Sequence, residues 1–461
     1  MMLGIPFSLY YGDRDVIVLL GCGSGTSLVG VILFLLTREH EKDLRKREGY
    51  IVVSIGWLVM SLFGAIPFVV HGSIPSYTDA FFETMSGFTT TGASILNDIE
   101  SMPHGLLFWR SMTQWIGGMG MIVLSIAILP ILGIGGMQLF VAEVPGPTKD
   151  KIHPRVRETA KRLWGIYLLF TIVETCLLLL GGMNLFDAIN HSFTTMATGG
   201  FSTKQASIAA YDSPFIHYVM ILFMFIAGTN FTLHYHLLHR NFKSVFENDE
   251  FRFYLKIIGL VVLIVFGGLL LEEYAGFEKT FRDALFQVVS IVTTTGYVTA
   301  DYELWGTFFQ VLFFLLLFTG GCAGSTGGGI KMVRHYILIK NSIIELKRLI
   351  HPRAVIPVRF NKGTVASDII SNVLAFFLFY IFVFVAGTLI MSIIGLDFLT
   401  AVGATATSIG NVGPAIAGVG PTLNFANIPD LGKWVLSFLM LMGRLELFTV
   451  LIIFSPAFWQ K

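Results

Sequence analysis

Charged side chains are scarce in this sequence: Asp, Glu, Lys and Arg make up 13% of its 461 residues, against roughly 25% in ordinary soluble domains. A soluble chain of this length divides into about two to four domains with solvated surfaces, and there is too little charge to cover them. Cysteine is scarcer still. Cys22, Cys176 and Cys322 lie far apart with no CxxC, so neither a disulfide framework nor a zinc site is readable. Charge of one sign is missing too: 31 basic and 30 acidic residues give +1, which leaves no bulk field directed at nucleic acid. Residues 1–12 lack a basic n-region and an A-x-A-like site, so no cleavable signal peptide is expected.

What is present is apolar: 54% hydrophobic and 14% aromatic residues, with a mean hydropathy of +0.73. These numbers exclude disorder, coiled coil and a disulfide scaffold, and describe an integral membrane protein. A bilayer core needs about 20 mostly apolar residues per helix. Candidate spans run near 15–36, 50–70, 105–132, 163–183, 214–239, 253–275, 303–318 with a continuation past a glycine cluster, 367–395 and 431–456. The connections at 38–49, 149–162, 240–256 and 331–362 hold 23 Lys and Arg, whereas those at 71–104, 183–213, 276–302 and 396–433 hold four. That bias places the first set and the C-terminus in the cytoplasm. Residues 1–13 are expected on the outer side or as the stub of a further helix.

The outer connections repeat one another. They read DAFFETMSGFTTTGAS from Asp79, DAINHSFTTMATGGFS from Asp187, DALFQVVSIVTTTGYV from Asp283 and DFLTAVGATATSIGNV from Asp397. In each, 13 positions separate the Asp from a Gly: Gly92, Gly200, Gly296 and Gly410. Such repetition sets the architecture before any other reading. About 11 helical residues rise roughly 16 Å, half the hydrocarbon thickness, so each helix enters the membrane without crossing it. The Asp is expected to cap the helix start, and the negative end then points at the membrane centre, where a cation is favoured. The Thr/Gly run returns as extended backbone, tolerated at that depth where it lines a watery cavity. Four such strands make rings of carbonyls that replace a cation's hydration shell.

The fold expected is therefore an all-α polytopic membrane protein, with four fused span–pore helix–filter–span repeats around one pore plus an N-terminal helix. Its segments are 1–49, then repeats at 50–148, 149–240, 241–362 and 363–461. The filter candidates are Thr90, Thr91 and Gly92; Thr198, Gly199 and Gly200; Thr294, Thr295 and Gly296; and Ser408, Ile409 and Gly410, with Asn411 adding a side-chain oxygen. A cation is the expected cargo rather than a resident cofactor, and no bound nucleotide is expected in this chain.

A second feature is TGGCAGSTGGG at 319–329, six of whose eleven residues are glycine. At about 1 kcal/mol each, they disfavour a continuous helix by roughly 6 kcal/mol. A phosphate-binding loop would need G-x-x-x-x-G-K-[ST], but Ile330 precedes Lys331 and Met332 follows. A packing face would prefer small-xxx-small spacing. The reading retained is a flexible intramembrane loop of Thr319, Gly320, Gly321, Gly324, Ser325, Thr326, Gly327, Gly328 and Gly329, with Lys331 at its end.

Glu83, Arg110, Glu174, Arg444 and Glu446 are ionisable residues inside spans or pore helices, and such residues are functional candidates by default. Structural pairing is expected for Glu83 and Arg110. Arg444 is expected at the pore or its loop, as a gating residue or in an ion pair. His234, His236 and His239 form an HxHxxH group at a span end, where a helix-end cluster is the ordinary reading and metal binding the alternative. No Ser-His-Asp, paired-carboxylate or Cys-His arrangement supports an enzyme; a membrane metalloenzyme using the His group and Glu174 is the rival from another class.

The repeat resembles the TrkH family of the Trk/Ktr/HKT superfamily, as do GGMGMIVLSIAILPILGIGGMQLF (117–140), AEVPGPTKD (142–150), HSFTTMATGGFS (191–202), GGCAGSTGGGIK (320–331) and GRLELFT (443–449). The resemblance implies a potassium-uptake membrane subunit of the bacterial inner membrane, with glycine at the filter accompanying potassium selectivity. It implies that 319–329 gates the pore from beneath the filter. It also implies a homodimer bound to a TrkA-type ring of nucleotide-binding regulatory subunits, for which the basic stretches 149–162 and 331–362 are candidate docking faces. A proton- or sodium-coupled symporter of the same fold is the alternative. The family usually carries two helices before the first repeat, where only 15–36 is complete here.

Overall fold

The computed structural model describes residues 1–38, 46–123 and 152–460, with side chains from 47 and from 158 in the two later segments. Residues 124–151, which carry the motif at 142–150 and all but the first seven residues of that at 117–140, lie outside the description, as do the side chains of Arg155 and Arg157. The described chain is predominantly helical, with a single two-stranded hairpin pairing Arg359–Phe360 with Gly363–Thr364.

Five helices are long and apolar enough to cross a membrane: Val16–Thr37, Lys46–His71, Ile152–Leu180, Asp249–Leu271 and Ser367–Ile394. They turn apolar side chains outward. Along Val16–Thr37 only Leu19 and Gly23 are buried, as expected of a helix whose solvent is lipid. Short of these lies Ile5–Tyr11, ended by Gly12 at φ +77°. Gly4 seats this segment on the helix His104–Val123, since a Cβ there would stand 2.6 Å from Gly105 O.

Four shorter helices, Tyr77–Phe88, Leu185–Met196, Phe277–Val292 and Phe398–Gly410, occupy the centre and are buried along most of their length. Each is followed by a non-helical strand and then a second helix. Three of the four second helices break, where continuous spans were expected in two. Pro214–Ala227 and Phe231–Leu238 meet at 105°, and Asp430–Arg444 and Phe448–Phe454 at 111°. Thr307–Leu316 ends before the glycine cluster, and helix resumes at Met332–Ile350. The first such helix is described only to Val123.

The expected Asp cap holds in one repeat only. Asp397 is the N-cap, accepting from Thr400 N. In the first two repeats Ser76 and Asn184 are the caps, accepting from Asp79 N and Asp187 N. The third pore helix starts at Phe277, a full turn and more before Asp283.

Candidate ion-conduction site

Each pore helix ends in the same backbone figure. Thr90, Thr198, Thr294 and Asn411 take left-handed φ of 52°, 53°, 61° and 53°. Each first residue donates its N–H to a carbonyl three positions back, and the next residue donates five back: Thr90 to Gly87 and Thr91 to Ser86, through to Asn411 to Ser408 and Val412 to Thr407. This is the Schellman closure of a helix, with threonine in three places where glycine or asparagine is usual. A β-branched residue at positive φ is strained, and such strain persists where the surroundings over-determine it.

Two residues on, Gly92, Gly200, Gly296 and Gly413 again have positive φ, from 74° to 101°. They interlock in a closed ring. A Cβ on Gly92 would overlap Gly199 O, one on Gly200 would overlap Thr295 O, one on Gly296 would overlap Val412 O, and one on Gly413 would press on Thr91 O. All four glycines line one vestibule together with Ser94, Phe201 and Pro414. Among the described residues, no group donates to the carbonyls of Thr90, Gly92, Thr198, Gly200, Thr294, Gly296, Asn411 or Gly413. Buried backbone carbonyls seldom go unpaired. Thr90, Thr198, Thr294, Asn411 and Gly413 are buried, while Gly92, Gly200 and Gly296 open onto the vestibule, so the eight carbonyls give it an oxygen-rich lining suited to a cation.

The ring corrects the sequence reading of the fourth repeat. Ser408, Ile409 and Gly410 are the last turn of the pore helix, and the strand is Asn411-Val412-Gly413. Counting back from the ring glycines, Thr400 rather than Asp397 matches Asp79 and Asp187; Asp397 matches the caps Ser76 and Asn184. The spacing of 13 in that repeat joins two positions that are not equivalent. Asn411 is a brace: its amide Nδ2 donates to Thr91 Oγ1 at 3.0 Å and to Met440 O at 2.9 Å, tying the fourth strand to the first. Sequence reasoning also missed Gln114, whose Nε2 donates to Gly199 O at 2.7 Å while its Oε1 accepts from Phe201 N at 3.1 Å. A polar residue in an apolar span was the available signal.

The glycine loop lies directly against the ring. Gly328 N donates to Thr294 Oγ1 at 2.7 Å, and a Cβ on Gly328 would stand 2.8 Å from Gly410 O. Thr326 Oγ1 donates to Met196 O at 2.9 Å, and a Cβ on Gly327 would stand 2.9 Å from Thr293 O. The loop therefore touches the ends of the second, third and fourth pore helices. Gly320 and Gly329 pack against one another across it, Gly321 packs on Gly228 and Gly324 on Asn230. Thr319 Oγ1 closes the preceding helix on Leu316 O, and Ser325 Oγ is buried without a partner. Lys331 Nζ reaches back to Gly327 O. Arg444 is 1% exposed and makes no ion pair among the described residues; it donates to Thr326 O at 2.6 Å and Gly117 O at 2.9 Å. A guanidinium thus sits beneath the ring, bonded to the loop.

The sequence model of the TrkH family, described as a cation transport protein, matches residues 23–461. The chain belongs to the TrkH family. It is similar to the Trk system potassium uptake protein TrkH of Salmonella typhimurium, 44% identical over 94% of this chain and 90% of that one. It is 40% identical to TrkH of Halomonas elongata over 100% of this chain and 96% of that one. The crystal structure of the potassium transporter TrkH from Vibrio parahaemolyticus superimposes with a TM-score of 0.91 at 40% identity, covering 100% of this chain and 96% of that one. As a member of the TrkH family the chain is a multi-pass membrane transporter, not an enzyme.

Of the ionisable residues singled out in the sequence, Glu83, Arg110 and Glu446 have ion-pair partners in this TrkH-family fold and Glu174 does not. Glu83 and Arg110 pair at 2.7 Å, both nearly fully buried, and Arg110 also donates to Ser202 O at 2.9 Å and lies over the Phe201 ring. The pair ties the first pore helix to the second strand. Removing one partner of a buried pair costs about 3–5 kcal/mol. Arg110→Leu is accordingly expected to lower thermal stability in detergent sharply, and Arg110→Leu with Glu83→Leu to recover most of the loss. Arg334 pairs with Glu446 at the break of the last helix. Glu174 is buried with neither oxygen hydrogen-bonded, as is Asp15 at the start of Val16–Thr37. His234 Nε2 meets Ile226 O and His239 Nδ1 meets Tyr235 O; among the described residues no three His, Cys, Asp or Glu are placed to hold a metal.

Proposed function

We propose that the chain is a potassium-uptake subunit, selecting potassium at the Gly92–Gly200–Gly296–Gly413 ring and gated by the 319–329 loop. The observation that carries this is the closed ring with its eight undonated carbonyls. They offer oxygen coordination without a fixed negative charge, which suits a large, weakly hydrated monovalent cation better than a divalent one. The asymmetry of basic connections puts the ring side outward and the C-terminus in the cytoplasm of the bacterial inner membrane. Similarity to proteins of the Trk system supports partner subunits, and we take these to be a TrkA-type nucleotide-binding ring bound to a homodimer. Exposed Lys347, Arg353, Arg359 and Lys362 are the docking candidates within 331–362, since Lys331 and Arg334 face inward on loop and Glu446.

Purified protein in proteoliposomes, given opposed potassium, sodium and proton gradients, tests the reading. Potassium flux that follows its own gradient and membrane potential alone supports a channel-like path. Flux driven uphill by a proton or sodium gradient establishes the symporter instead, and equal sodium and potassium flux overturns the selective ring.

A further inference from the structure

The gate reading leaves one question open in physical terms: what keeps the helix of the third repeat broken. Once Met332–Ile350 begins, its first N–H groups need acceptors. Its N-cap, Lys331, supplies no side-chain cap. A carboxylate from another helix does so. Glu250, 2% exposed in the first turn of Asp249–Leu271, accepts from Val333 N at 3.0 Å and, with the same Oε1, from Ala323 N at 2.7 Å. One oxygen therefore holds two points ten residues apart, one inside the glycine loop and one just past it.

From this geometry we infer that Glu250 is the positioning residue that latches the gate in its broken form. The inference rests on the loop being the gate. If the loop were absorbed into a continuous helix, Ala323 N and Val333 N would each donate four residues back along the chain, and neither could remain on Glu250. The two bonds compete directly with straightening. A carboxylate at a helix start is also electrostatically favourable there, and Lys331 and Arg334 are near enough to act on its charge. Neighbouring bonds reinforce the latch without replacing it: Cys322 N donates to Gly228 O at 2.8 Å and Phe231 N to Gly324 O at 3.1 Å. Those two join the loop to the break of the second repeat, so release at Glu250 frees one side of a layer shared by two repeats.

Cys322 supplies a direct readout, because it is wholly buried next to Ala323. With Cys22 and Cys176 replaced by serine it is the sole thiol of the chain. In proteoliposomes without any partner, we expect Glu250→Ala to raise both potassium flux and the rate at which a methanethiosulfonate reagent labels Cys322. The expected rise is about tenfold, the equilibrium equivalent of one net hydrogen bond to a charged group. Glu250→Gln keeps an acceptor oxygen in place and is expected to give less than about a third of that rise. Unchanged flux and labelling in Glu250→Ala overturn the latch, as does faster labelling with loss of flux, which marks a merely structural residue. Deleting Gly327–Gly329 in parallel separates the two ideas. If the deletion raises flux and Glu250→Ala does not, the latch fails while the gate stands; if neither raises it, the gate reading fails and the latch with it.

Discussion

Gly413→Ser is expected to lower the potassium-to-sodium permeability ratio by about tenfold or more, whereas Ser408→Ala leaves it unchanged. Gly413 stands at φ +101° with Thr91 O where its Cβ would project. A side chain there must push the first strand aside or turn its own strand out of the left-handed region. Either movement displaces carbonyls on two of the four strands, because each strand is the wall against which the next one rests. Ser408 belongs to the pore helix, and its buried hydroxyl has no partner to lose. Reversal potentials in mixed potassium and sodium solutions decide the matter. A wild-type ratio in Gly413→Ser, or a lowered one in Ser408→Ala, returns the fourth filter strand to Ser408-Ile409-Gly410. Gly296→Ser provides the reference, since its position in the ring is the same whichever fourth strand is right.

The misassigned strand shows what the sequence carried and what it did not. Three strands were legible because Thr-rich segments, an apolar helix and a Gly recur at the same offsets, and local helix-closing chemistry is written in consecutive residues. The fourth was misplaced because any small polar residue can cap a helix. Ser76 and Asn184 did so in the first two repeats, which left Asp at the third helical position; Asp397 did so itself. Counting from Asp then compared two different places. The helix breaks divide along the same line. Six glycines announced the break at 319–329, since backbone propensity is local. The breaks at 228–230 and 445–447 lie in runs that read as continuous apolar spans. They exist because packed partners hold Glu446 and Leu447 at positive φ and bring Gly228 against Tyr254 and Thr293, contacts made by residues remote in sequence. The partners of Gln114 and Glu250 were unreadable for the same reason: each acts on backbone groups about 70 to 90 positions away, and hydropathy records composition, which marks Gln114 as polar in an apolar span but not what it bonds.

Shortening the loop is expected to have the other large effect. Deleting Gly327–Gly329 removes the segment that lies against Thr293, Thr294 and Gly410 and breaks the contact between Lys331 and Gly327 O. A bent intramembrane helix survives because it lines a cavity and its freed backbone groups find partners. Here those partners are Thr294, Ala227 and Arg444. With three residues gone, the loop cannot reach all of them at once, and potassium flux without a partner should rise by about tenfold or more. Arg444→Ala should act in the same direction but more weakly. It removes the bond to Thr326 O and the buried positive charge beneath the ring, yet leaves the bonds of Gly328 and Thr326 to the pore-helix ends. Selectivity should stay near wild type in both, because the ring is closed by Asn411, Gln114 and its own glycines rather than by the loop. Tracer uptake into proteoliposomes measures the first effect and reversal potential the second. A deletion variant that inserts normally, keeps its thermal stability and still passes no more potassium than the parent would make 319–329 a packing element. If flux rises together with a collapse of selectivity, the loop is part of the filter's support, and gate and filter cannot be assigned to separate segments.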